Sequence, residues 1–122
     1  MATIIVTTSI SFTADESRDF IQKVGGAAVE AFRLSPTLRD VYLYPIPEYQ
    51  QTPHDDGQIT FFIYTAPGKP VEYKRDLVKG IQNVVDDFFA DRKVNTVVII
   101  KEHADENVGT GGRLRLDILA GK

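Results

Sequence analysis

Few residues in this 122-residue chain are placed to do chemistry, and their spacing excludes most of the common kinds. There is no cysteine, so thiol catalysis, disulfides and thiolate metal sites are excluded. The two histidines, His54 and His103, stand too far apart in sequence to suggest a metal cluster, and no Ser-His-Asp spacing stands out. Asp55-Asp56 and Asp86-Asp87 read as a solvated turn and a solvated helix face rather than as acid–base pairs. Gly109-Thr110-Gly111-Gly112 lacks the lysine and Ser/Thr of a phosphate loop and precedes a strand pattern, so it reads as a turn. A net charge of -3 argues against nucleic acid, whose phosphates need a basic face. The N-terminus has no basic start followed by an apolar stretch, and no apolar run reaches about 18 residues, so a cytoplasmic protein without a membrane partner is expected.

The elements that must position any site are written twice. Residues 3–45 and 60–102 align without a gap at an offset of 57: Thr3 meets Thr60, Arg18-Asp19 meets Arg75-Asp76, and Phe32 meets Phe89. A fixed period of this size signals a tandem structural duplication. Thr3–Thr8 is a β-branched run that predicts a strand. Thr13-Ala14-Asp15-Glu16 has capping-box form, and Phe20, Ile21, Val24, Ala28, Ala31 and Phe32 follow at helical spacing. Gly25-Gly26 inside that helix reads as close packing on a sheet. Asp40–Ile46 predicts a second strand, and residues 47–57 a polar link. Strand Ile59–Thr65, a helix over about 70–91 and strand Thr96–Lys101 repeat the unit.

The expected fold is α+β in a single domain (1–122). Tandem β-α-β repeats, about 2–46 and 59–103, form a four-stranded sheet with two helices on one face. Arg113–Ile118 alternates and predicts a C-terminal edge strand within 107–119. Tyr42, Tyr44, Phe61 and Tyr64 put apolar area on both sides of the sheet, which predicts a homo-oligomer. The same order of elements also permits a ferredoxin-like small-molecule-binding module.

At Ile99-Ile100-Lys101-Glu102, followed by Gly109-Thr110-Gly111-Gly112-Arg113-Leu114, the chain resembles the tautomerase superfamily. The resemblance is to 4-oxalocrotonate tautomerase (4-OT) in a fused, double form with a MIF-like fold. The second repeat follows the pattern from Ile59 to Leu114, including Gly68 and Asn107-Val108-Gly109, and the first matches more weakly. The resemblance implies a homotrimer without cofactor or metal, acting on small 2-hydroxy or 2-oxo acids by enol–keto tautomerisation, with hydratase or decarboxylase chemistry as related activities. It also implies a catalytic amino-terminal proline, and here the sequence departs. The proline position falls at Ala2 in one repeat and at Ile59, which is internal, in the other. The family's loop arginine falls at Phe12 and Lys69, its strand arginine near Val97, and its aromatic residue before the glycine turn at Val108.

Ala2 therefore carries the catalytic expectation, through a terminal amine that exists only if Met1 is removed. Such an amine has a pKa of about 7.7–8.0 in water, and burial lowers it toward a working general base. Lys69 is the expected carboxylate anchor, with Arg113, Tyr44 and His103 as further candidate lining. Weak or lost proline-type activity is one expectation; a non-catalytic binding or structural homo-oligomer of the same fold is the other.

Overall fold

The computed structural model describes residues 2–121; Met1, whose removal the amine reading requires, lies outside them. The first unit is β1 (Ala2–Thr8), α1 (Ala14–Phe32) and β2 (Arg39–Pro45). The second is β3 (Gly57–Thr65), α2 (Val71–Phe88) and β4 (Val94–Glu102). In β1, strand alternation buries Ala2, Ile4 and Val6 and turns Thr3, Ile5 and Thr7 to the other face. α1 starts where its capping box dictates. The Thr13 hydroxyl accepts from the Glu16 amide at 3.1 Å, and the Glu16 carboxylate accepts from the Thr13 amide at 2.8 Å.

Each helix joins two parallel neighbours, β1 to β2 and β3 to β4, and the units meet through antiparallel β1 and β3. The sheet order is β2-β1-β3-β4. A ferredoxin-like domain splits its β-α-β units with an intervening strand, so the pairing rules that alternative out. The offset of 57 persists in fine detail. A 3-10 turn follows each unit, at Glu48–Gln50 and at Asp105–Asn107. The Ile46 amide donates to the Thr8 carbonyl at 2.8 Å, and the His103 amide donates to the Thr65 carbonyl at 2.9 Å.

The core lies between the helices and one face of the sheet. It joins Ile4, Val6, Ile59, Phe61 and Ile63 to Phe20, Val24, Leu77, Ile81 and Val85. At the end of the sheet near Thr8 and Ile59, Phe20 meets Phe12 at 5.1 Å and Phe88 edge-on at 5.2 Å, and Phe89 closes the cluster. The opposite face of the sheet carries no helix. There Tyr42, Tyr44, Val97 and Ile99 are 38–54% exposed, the second apolar surface that the sequence leads one to expect.

Two readings need correction. Arg113–Ile118 is not one strand. β5 (Gly109–Thr110) and β6 (Arg113–Leu114) form a hairpin, and the chain then turns into α3 (Arg115–Leu119). Gly111 and Gly112, with φ of 61° and 83°, make the tight two-residue turn. The ladder runs out at Gly109, the first residue of β5; the Arg115 amide makes one more bond back, to Val108, and the chain beyond it bonds locally, as the Ala120 amide does to Leu116. Of the glycine pair, Gly25 does pack closely on the sheet and Gly26 does not. The space beside Gly25 holds the Arg39 side chain from β2, with Nε 2.6 Å from where a Cβ would stand, and Gly26 faces open space.

Among the described residues, no helix is long and apolar enough to cross a membrane, and no His/Asp/Glu group is placed to hold a metal.

Candidate functional site

The antiparallel register sets Ala2 opposite Thr65 and Thr3 opposite Tyr64, so the start of β1 lies beside the ends of β3 and β4. A cleft of about 410 Å3 opens at this corner. Its sheet side is Thr3, Tyr64, Thr65 and Ala66; its far wall is His103, Asp105, Asn107, Val108, Gly109 and Arg115. The size suits a small organic molecule.

Local structure explains why these side chains converge. Strand alternation turns Tyr64 to the helix-free face, where His103, just past β4, stacks on it with centroids 5.4 Å apart and 17° between planes. The 3-10 turn after His103 presents Asp105 and Asn107. The glycine hairpin then brings the chain back, and the Arg115 amide donates to the Val108 carbonyl at 2.8 Å. This return sets the Arg115 Nε 3.5 Å from an Asp105 carboxylate oxygen. That Nε is shielded from solvent and has no hydrogen-bond partner among the described residues.

The structure distributes the sequence-nominated residues unevenly. Ala2 is fully buried on the helix side of the sheet and does not line the cleft, which its neighbour Thr3 does; the Ala2 backbone nitrogen donates to the Leu38 carbonyl at 2.8 Å. His103 lines the cleft directly. Lys69 stands beside it: its Nζ lies 3.5 Å from the Ala66 carbonyl oxygen and 5.5 Å from the Phe32 ring centre. The Lys69 amide donates to Glu102, whose carboxylate also takes the Lys74 ammonium at 2.6 Å. The Lys74 and Lys69 bonds hold the Glu102 carboxyl below its ordinary pKa. Arg113 is exposed in the hairpin opposite Thr110 and does not line the cleft. Tyr44 pairs with Thr7, toward the other end of β1 from Ala2, because a parallel β-α-β unit puts the late residues of both strands together.

Val108, at the family's aromatic position, does line the cleft. Sequence reasoning missed Tyr64, Asp105 and Arg115 as lining. The available signal was proximity to His103 and to the glycine turn, but only the hairpin return shows that Arg115 enters while Arg113 does not.

The duplicated counterpart is not a copy. At the Ile59 end the family's loop-arginine position holds Phe12, which packs into the aromatic cluster. Ile59 is 1% exposed and internal to the chain, so that end offers no amine. Rings fill the Phe12 position, and what remains at that end is a smaller pocket of about 250 Å3 whose Ser9, Glu48 and Gln51 stand 57 residues before Ala66, Asp105 and Val108 of the first cleft.

Residues 62–115 match the family model described as tautomerase enzyme. No curated protein sequence matches the chain significantly. Solved structures share its fold at low identity. Native fused 4-OT is 18% identical with a TM-score of 0.78, covering 98% of this chain and 99% of its own. A wild-type fused 4-OT asymmetric trimer is 16% identical with a TM-score of 0.78, covering 95% and 98%. Malonate semialdehyde decarboxylase is 16% identical with a TM-score of 0.78, covering 98% and 97%.

Proposed function

We propose that this chain, which carries the tautomerase pattern in its second repeat and the tautomerase fold throughout, is a weak enol–keto tautomerase of small 2-hydroxy and 2-oxo acids. The observation that carries the reading is the position of its cleft: at the start of β1, lined by Thr3 next to Ala2, whereas the smaller pocket at the Ile59 end lies beside a residue internal to the chain. With Met1 removed, the Ala2 nitrogen is a primary amine in a buried setting, and burial favours the neutral, basic form. That amine takes the enol proton and returns one to carbon, so atoms and charge balance without a cofactor. His103 lines the substrate's path, and Lys69 beside the cleft adds positive potential. Loss of proline, and of arginine at Phe12 and Lys69, accounts for weak activity. A homotrimer is part of the proposal; the fused 4-OT structures are trimers, and the helix-free face here carries exposed Tyr42, Tyr44, Val97 and Ile99.

A second reading is a binding or structural homo-oligomer without catalysis. It is favoured by the Ala2 nitrogen already donating to Leu38, as a strand amide does. Intact mass combined with ketonisation of phenylenolpyruvate, on wild type and Ala2→Pro, separates the two. Tautomerase chemistry predicts slow wild-type turnover and a clear gain in correctly processed Ala2→Pro. Absence of turnover in both supports the second reading, and fast turnover with Met1 retained overturns the amine mechanism.

A further inference from the structure

We infer that Arg115 is the carboxylate anchor of the cleft, and that the cleft takes a small monocarboxylate with a planar apolar tail rather than a dicarboxylate. The location rests on the cleft described above; the inference does not require catalysis there.

Arg115 is the only lysine or arginine among the residues that line the cleft. Its backbone is pinned by the amide bond to Val108, and its guanidinium lies against the Asp105 carboxylate. The 3.5 Å separation from Asp105 is too long for an N–H···O hydrogen bond, so Asp105 sets the position of the guanidinium without saturating its donors. A buried donor without an acceptor is costly, and a carboxylate arriving in the cleft removes that cost. The planar fork of arginine suits a carboxylate in a way the Lys69 ammonium does not, and Lys69 is directed at the Ala66 carbonyl and the Phe32 ring.

The charge count sets the substrate class. One cation and one anion, Arg115 and Asp105, line the cleft. A single carboxylate finds its partner; a second finds no other cation in the cleft wall, since Lys69 stands outside it on the Ala66 carbonyl, and meets the like charge of Asp105. The Tyr64–His103 stack supplies a flat face for an unsaturated or aromatic tail.

The test is calorimetric titration of the intact chain with phenylpyruvate, its methyl ester and 2-oxoglutarate, on wild type, Arg115→Ala and Arg115→Lys. Phenylpyruvate is expected to bind wild type about 10-fold or more tighter than either other probe. Arg115→Ala is expected to weaken phenylpyruvate by about 10- to 100-fold and leave the ester unchanged, with Arg115→Lys recovering part of the loss. The ester comparison uses unaltered protein and stands even if a variant folds poorly. Equal affinity for 2-oxoglutarate, no phenylpyruvate binding at millimolar concentration, or unchanged affinity in Arg115→Ala overturns the inference. Binding through Arg115 without ketonisation of phenylenolpyruvate upholds it and refutes the tautomerase reading. Ketonisation unaffected by Arg115→Ala does the reverse.

Discussion

Phe20 makes ring contacts with one residue of its own repeat and three of the second, so Phe20→Ala tests how the scaffold is held. The ring is fully buried, 5.1 Å from Phe12, 5.2 Å from Phe88, 6.1 Å from Phe89 and 6.2 Å from Phe61. Removing a buried phenylalanine side chain costs about 3–5 kcal/mol in transfer and cavity terms. The Phe88 contact is nearly edge-on, at 75°, which is the favourable quadrupole geometry. Its loss adds about 0.5–1.5 kcal/mol. The expected total of about 3.5–6.5 kcal/mol is a large part of the roughly 5–15 kcal/mol of an ordinary domain. Leu77 occupies the equivalent place in the second repeat, is equally buried, and supplies an internal control. Leu77→Ala should cost about 2–5 kcal/mol, less than Phe20→Ala because no ring pairs are lost. Urea denaturation at one fixed protein concentration gives both values. A Phe20→Ala cost below about 2 kcal/mol, or one no larger than that of Leu77→Ala, would refute the view that the aromatic cluster ties the two repeats together at this end of the core.

Other consequences follow from single contacts. Gly26→Ala should stabilise by about 1 kcal/mol, because its Cβ meets open space. Gly25→Ala should gain less, because Arg39 must move; equal melting-temperature shifts would contradict this. The depressed Glu102 pKa gives stability that is present above the ordinary carboxylate range and lost as pH falls through the folded-state value. The urea-midpoint gap between wild type and Lys74→Met should therefore be widest near neutral pH and close in acid, modestly because the pair is partly exposed. Gly112→Ala places a Cβ at φ 83° and should cost about 1–2 kcal/mol in the hairpin. Because that hairpin returns Arg115 to the cleft, the variant should also weaken phenylpyruvate in the same titration.

The scaffold was legible because its signals are periodic. Offset-57 pairs such as Phe32 and Phe89 marked the duplication, and Thr13 with Glu16 marked the start of α1. The site was less legible because it is built from a return of the chain. Alternation at Leu114, Leu116 and Ile118 looks like a strand, but a strand needs a ladder partner, and β5 supplies two residues only. Arg113 and Arg115 are equivalent by spacing, and only the hairpin and α3 separate them. Tyr44 reads in sequence as lining for the same site as Ala2, but parallel pairing of β1 and β2 places it beside Thr7. The closure at Phe12 was half visible: sequence showed the missing arginine, and packing shows the phenylalanine rings that fill its place.

The central claim is that the cleft at the Ala2 end, and not the smaller pocket at the Ile59 end, is the site of small-molecule chemistry. Backbone amide chemical-shift mapping of phenylpyruvate on the intact protein tests it directly. The account predicts shifts concentrated at Thr3, Tyr64, His103, Asn107 and Arg115, with Ser9, Glu48 and Gly57 at the other end unmoved. Shifts centred on Ser9, Glu48 and Gly57, or of equal size at both ends, would contradict it.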